Sequence, residues 1–153
     1  MSWYPDEDLY RAWWLESISD GLDYMTYEEI RDMLILHGYN ELEVLDLLNN
    51  GGYGPGSEIT LDDFLSIMEA SEALDHVGAA LRHAFRNAGI GGDEGYATPE
   101  EIVEIGAHLD IFPSFTFDVE AALNIMEVME KDYLGRVNID DFCVQYSIWA
   151  RDH

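Results

Sequence analysis

Four carboxylates recur at near-constant spacing: Glu29, Asp63, Glu101 and Asp141, separated by 34, 38 and 40 residues. A carboxylate at such a place can do either of two things. It can ligate a hard divalent cation, which takes oxygen donors. It can also accept a hydrogen bond from the backbone N–H at the start of a helix. Three residues before the acids stand Thr26, Thr60, Thr98 and Asn138, all capping types. Four before them stand Met25, Ile59, Ala97 and Val137, and directly after them Ile30, Phe64, Ile102 and Phe142. Four coincident features in each copy mark an internal repeat.

Other chemistry finds little footing. His37, His76, His83, His108 and His153 share no ligand spacing with one another or with Cys143. No nucleophile elbow, phosphate loop or zinc signature is present, so no enzyme is expected. Carboxylates are so plentiful that no single pair of them is informative. The histidines read as surface or boundary residues. Cys143 has apolar neighbours and reads as a small core residue.

Helices must position the repeated acids. Leu9, Tyr10, Trp13, Trp14 and Ile18 recur at three- and four-residue spacing on a first helix, which starts near Pro5 or Asp6. Thr26-Tyr27-Glu28-Glu29 is a capping box opening a second, which Gly38 ends. A third runs from about Asn40 to Asn49, and Thr60 opens a fourth. Glu69 to Val77 turns polar and small, the pattern of a linker helix. Leu81, Ala84 and Phe85 mark a fifth helix. Thr98-Pro99-Glu100-Glu101 opens a sixth, Leu123, Met126 and Met129 mark a seventh, and Asn138 caps an eighth. Residues 110–117 form an apolar connection with a proline, unusual because loops are normally polar. It serves either target specificity or packing on its own lobe.

Charge narrows the partners. The chain has 32 acids against 7 Lys and Arg among 153 residues, a formal net of -25, with 48% hydrophobic residues. That content predicts a folded chain rather than a disordered one. Self-repulsion at this density opposes compaction unless a cation or a basic partner offsets it. The sign argues against nucleic acid and against direct binding to anionic membranes. An acidic N-terminus with no long apolar run and a single cysteine point to a cytoplasmic address.

Helix, Gly-containing loop and capped helix, with a final acid in the loop, resemble the EF-hand. Gly95-Tyr96-Ala97-Thr98-Pro99-Glu100-Glu101-Ile102 and Gly135-Arg136-Val137-Asn138-Ile139-Asp140-Asp141-Phe142 look like the exit segments of calmodulin's third and fourth hands. Ala84-Phe85-Arg86 resembles the entry of the third. The resemblance covers nearly the whole chain. It implies an all-α fold of four units paired into two lobes: residues 1–72, a linker over 73–80, and residues 81–153.

A working loop of that family needs oxygen donors at positions 1, 3, 5 and 12 and a glycine at 6. Counted back from the terminal acids, the first loop offers Ile18, Asp20, Leu22 and, at the glycine position, Asp23. The second offers Gly52, Gly54 and Gly56. The third offers Ile90, Gly92 and Glu94, with Asp93 out of register. The fourth keeps Glu130, Asp132, Asn138 and Asp141, with Leu134 at position 5 and a short acid at 12. No metal and no cofactor are therefore expected. The alternative site is Glu130, Asp132, Asn138 and Asp141. The terminal acids keep their helix-starting role whether or not an ion binds.

What the family resemblance implies is a grip on a basic amphipathic helix. Relatives that bind without calcium are typically myosin light chains clasping an IQ motif. The expected contacts are Ile30, Met33, Leu34, Leu47, Phe64, Ile67 and Met68 in the first lobe. In the second they are Ile102, Ile105, Leu109, Ile125, Met126, Met129, Phe142 and Tyr146. The same residues can equally be core, because core and groove share walls in such a fold. The expectation is a calcium-independent, cytoskeleton-associated light chain of an unconventional myosin. The alternatives are a calcium sensor using the fourth loop, or a structural subunit like centrin or some dynein light chains.

Overall fold

The apolar periodicities and caps are realised as eight helices and four short strands among the described residues. A computed structural model describes residues 3–109, 112 and 114–152. The helices are α1 (Glu7–Ser17), α2 (Tyr27–Leu36), α3 (Glu41–Asn50), α4 (Leu61–Glu69), α5 (His76–Ala88), α6 (Pro99–His108), α7 (Val119–Val128) and α8 (Ile139–Arg151). The strands are β1 (Tyr24–Thr26), β2 (Glu58–Thr60), β3 (Tyr96–Ala97) and β4 (Val137–Asn138). The chain is mostly helical, and no helix among the described residues is long and apolar enough to cross a membrane.

The chain divides into two compact units, Pro5–Asp75 and Met1–Tyr4 with His76–His153. In the first, β1 and β2 pair antiparallel with Met25 opposite Ile59. In the second, β3 and β4 pair antiparallel with Ala97 opposite Val137. These are the four apolar residues that precede the caps in the repeat, and all four are buried. Each repeat thus supplies one strand, and two strands close one unit. The backbone N–H and C=O groups of a buried loop find partners this way.

The first unit packs α1 on α4 and α2 on α3. Trp14 stacks on Phe64 at 5.8 Å between centroids, and Tyr10 meets the same ring edge-on at 6.2 Å. The Tyr27 hydroxyl donates to Asn49 Oδ1 at 3.2 Å, tying α2 to α3. His37 is buried here, further inside than the surface or boundary place expected of the histidines. Its Nδ1–H donates to the Met33 carbonyl at 2.8 Å and its ring lies 4.4 Å from that of Trp13, so the polar ring is satisfied inside.

The expected linker helix from Glu69 to Val77 is not continuous. Helix α4 stops at Glu69, residues 70–75 are turns, and α5 begins at His76. The Ser71 hydroxyl bonds back to the Met68 carbonyl and the Leu74 N–H donates to the Ser71 carbonyl. The turn buries Leu74, whereas a continuous polar helix would not require it to be. Buried apolar area, about 25 cal/mol per Å², outweighs the weak helical preference of the stretch.

The second unit packs α5 against α8 and α6, and α7 against α6 and α8. Its core holds Leu81, Phe85, Ile102, Ile105, Met126, Phe142, Cys143 and Tyr146. His76, also expected outside, is buried with its ring 5.3 Å from that of Tyr4. Gly91 has φ +92, and a Cβ there would lie 2.3 Å from Ile139 Cδ1. Only glycine lets the third loop approach the start of α8 so closely.

Candidate functional site

Three of the four acids that end the loops close capping boxes, and at the fourth Asp141 gives its backbone N–H to the Asn138 cap. Glu29 Oε1 accepts from the Thr26 N–H at 3.1 Å while Thr26 Oγ1 accepts from the Glu29 N–H at 3.2 Å. Asp63 and Thr60 make the same reciprocal pair, both bonds at 3.2 Å. Glu101 and Thr98 repeat it at 3.0 and 3.2 Å. In the fourth copy Asn138 Oδ1 accepts from the Asp141 N–H at 2.9 Å, which spends that oxygen on the cap. Asp63 thereby closes a full capping box.

A guanidinium stands between the third and fourth loops. Arg136 Nε donates to Asp132 Oδ2 at 2.8 Å, and its NH1 donates to Glu94 Oε2 at 2.7 Å. Asp132 Oδ1 accepts from the backbone N–H groups of Leu134 at 3.0 Å and Arg136 at 2.8 Å. The Arg136 carbonyl in turn accepts from the Asp132 N–H at 2.9 Å. Both oxygens of the best acid in the fourth loop are therefore hydrogen-bonded, and so is the carbonyl at the seventh loop position. The guanidinium carbon also lies 5.7 Å from the centre of the Tyr96 ring.

The electrostatics follow from these contacts. Burial alone would raise the Asp132 carboxyl, but the Arg136 N–H, its guanidinium and the Leu134 N–H outweigh that and hold it below the ordinary value. Glu94, then Asp132, push Arg136 further up, so it stays charged. A fixed monovalent cation thus sits where two acidic loops meet. The planar guanidinium gives one N–H to each of two carboxylates, so a single side chain bridges both loops.

The remaining loops are poorer in donors. Asp20 and Asp23 of the first are exposed, and so is Leu22 at position 5. In the second, Gly52 and Gly56 adopt φ of 89° and 86°, and the Gly54 N–H donates to Ser57 Oγ at 3.0 Å. In the third, Glu94 turns to Arg136. Among the described residues, no group of three or more His, Cys, Asp or Glu side chains is arranged to hold a metal ion. Glu130 and Asp141 are exposed, and neither is bonded into the clasp around Asp132.

The fifteen expected partner contacts fall into two groups. Ile30, Met33, Leu34, Phe64, Ile67 and Met68 are buried together in the first unit. Ile102, Ile105, Leu109, Met126, Phe142 and Tyr146 are buried together in the second. Leu47, Ile125 and Met129 are half-buried. The structure thus brings the expected residues together within each unit, with their side chains turned inward. Leu123, expected on the apolar face of α7, is exposed, and so are Leu42 of α3 and Leu15, Leu36, Val128, Val144 and Ile148.

The apolar connection packs on its own unit. Phe117 stacks on Tyr146 at 5.2 Å between centroids and rests on Gly106, where a Cβ would lie 3.0 Å from its ring. The Tyr146 hydroxyl accepts from the Asp118 N–H at 2.9 Å. Phe112 is buried beside His83, with ring centroids 5.9 Å apart. Asp110, Ile111 and Pro113 of this connection, and His153, lie outside the described residues.

Trp3 is a residue sequence reasoning passed over. Its ring meets Phe112 at 5.7 Å and Phe115 at 5.0 Å, both edge-on. Its signal was available only as an aromatic in a short acidic leader, with nothing to name its partner. The Arg136 clasp was likewise missed, because a search for oxygen donors steps over a cation. Comparisons with protein-family models and with characterised proteins find no match to this chain.

Proposed function

We propose that the four capped helix–loop–helix units are EF-hand-like, and that the chain is a calcium-independent light chain for a basic amphipathic helix. The carrying observation is the Arg136 guanidinium held by Asp132 and Glu94. A divalent ion in the fourth loop would have to displace a cation already in place and break the bonds to both Asp132 oxygens. The antiparallel pairing of Met25 with Ile59 and of Ala97 with Val137 supports the reading that the units work in twos.

Charge supports the choice of partner. The residues of Pro5–Asp75 include 18 acids and 2 Arg, a net of -16. Those of 76–153 include 14 acids and 5 Lys or Arg, a net of -9. A helix rich in Arg and Lys, such as the IQ motif of an unconventional myosin, relieves that repulsion when it binds. Because most of the expected contacts are buried, engagement requires the helices of a unit to part. The binding free energy then includes the cost of that opening.

The test is calorimetric titration of a 25-residue Arg-rich amphipathic peptide into the chain in EGTA. The reading expects saturable 1:1 binding with a Kd of about 1 µM or tighter. Absence of binding in EGTA at low salt would contradict it.

A further inference from the structure

We propose that a cleft of the second unit, between α6 and the start of α7, is the docking site for the apolar anchor of a basic amphipathic helix. The inference rests on the helix-binding reading above and gives it a surface that needs no helix to move.

Three observations carry it. First, the cleft is already formed. Its volume is about 460 Å³, within the roughly 300–1,000 Å³ typical of ligand clefts. Val103 and Ala107 of α6 line it together with Phe115, Phe117 and Val119, none of them among the expected partner contacts. Phe117 is fixed from behind by its stacking on Tyr146 at 5.2 Å between centroids and its contact with Gly106. Second, the lining leaves apolar surface in water. Ala107 and Val119 are exposed, and Val103, Phe115 and Phe117 are half-buried. Leu123, one turn after Val119 on α7, is exposed as well. Apolar surface gathered around a cleft and rimmed by polar residues marks an interaction site. Third, the rim has one sign of charge. Residues 87–130 hold ten acids and no Lys or Arg. Glu100 and Glu104 beside Val103, and Glu120 beside Val119, are all exposed.

The occupant follows from the apolar lining and the acidic rim. A Leu or Phe side chain fills such a cleft as an anchor, and Lys or Arg on the neighbouring turns of its helix meets Glu100, Glu104 and Glu120. A second copy of this chain brings the same acids and is repelled, and so is an anionic lipid surface. Because the cleft stands open, this contact carries none of the cost of parting the helices around the buried contacts.

The experiment uses the full chain in EGTA and the Arg-rich peptide of the titration above. Ala107→Lys and Val119→Lys each put a cation at the cleft. Val128→Lys adds the same charge about 13 Å farther along α7. All three positions are exposed. The two cleft variants are expected to bind about tenfold more weakly than wild type, and Val128→Lys within about threefold of it. Equal affinity of all three variants would overturn the docking site while leaving helix binding intact. Failure of the wild-type chain to bind would overturn the helix-binding reading, and the docking site with it. A wild-type dimer in sedimentation equilibrium that Val119→Lys breaks would overturn the basic helix as occupant and assign the cleft to a second copy. The wild-type chain also gives a reading independent of any variant's folding. The Val103 and Val119 methyl signals are expected to shift in NMR spectra as peptide is added, and unmoved signals at saturation would overturn the proposal.

Discussion

At the scale of single residues, the fourth loop turns on Arg136. Replacing it with Gln removes the charge that faces Asp132 and Glu94. Arg136→Gln is expected to lower Tm by a few degrees at neutral pH and low salt, measured by circular dichroism. The pH dependence has a definite sign. Asp132 is held below its ordinary value in the folded chain. Its contribution is full above the unfolded carboxylate pKa of about 3.9 and is lost as pH falls through the folded value. The Tm gap between wild type and Arg136→Gln should therefore be widest near pH 7 and close in strong acid. A gap that stayed constant down to pH 2 would assign Arg136 a packing role only. Tyr146 supplies a second test, because its hydroxyl accepts from the Asp118 N–H at the start of α7. Tyr146→Phe should cost about 1 kcal/mol in urea denaturation, the usual worth of such a bond.

At the scale of elements, the caps carry the local logic. Thr98→Ala removes the acceptor for the Glu101 N–H, and the loss should be about 1 kcal/mol by the same denaturation. No measurable loss would mean that solvent replaces the cap freely. The caps and the helix starts were legible in the sequence because they depend on neighbours within four positions, whereas the strand pairing around Met25, Ile59, Ala97 and Val137 was not, because it joins separate repeats. Thr26 and Glu29, or Thr98 and Glu101, need no knowledge of the rest of the chain. The clasp was not legible for the opposite reason: Glu94 and Arg136 lie 42 residues apart, and only the β3–β4 pairing brings their loops together. The expected linker helix from Glu69 to Val77 is interrupted for a related reason. Local polarity favoured helix, and the burial of Leu74 decided for a turn. His37 and His76 were misjudged because a buried imidazole depends on partners such as the Met33 carbonyl that spacing does not reveal.

At the scale of the whole molecule, a net charge of -25 is the dominant fact. The single guanidinium between Asp132 and Glu94 compensates locally, and most of the acids remain exposed to one another. Tm should therefore rise between about 10 and 150 mM NaCl, as the screening length falls from roughly 30 to 8 Å. Calcium and magnesium at matched ionic strength should show little difference from each other. A rise specific to calcium would instead point to a selective site. The same repulsion favours the proposed basic helix as a partner. The most direct measurement is the Kd of the Arg-rich helical peptide, taken once in EGTA and once in 1 mM calcium at the same ionic strength. The account predicts that the two values agree within about twofold. Binding that is absent in EGTA and appears only with calcium would contradict it.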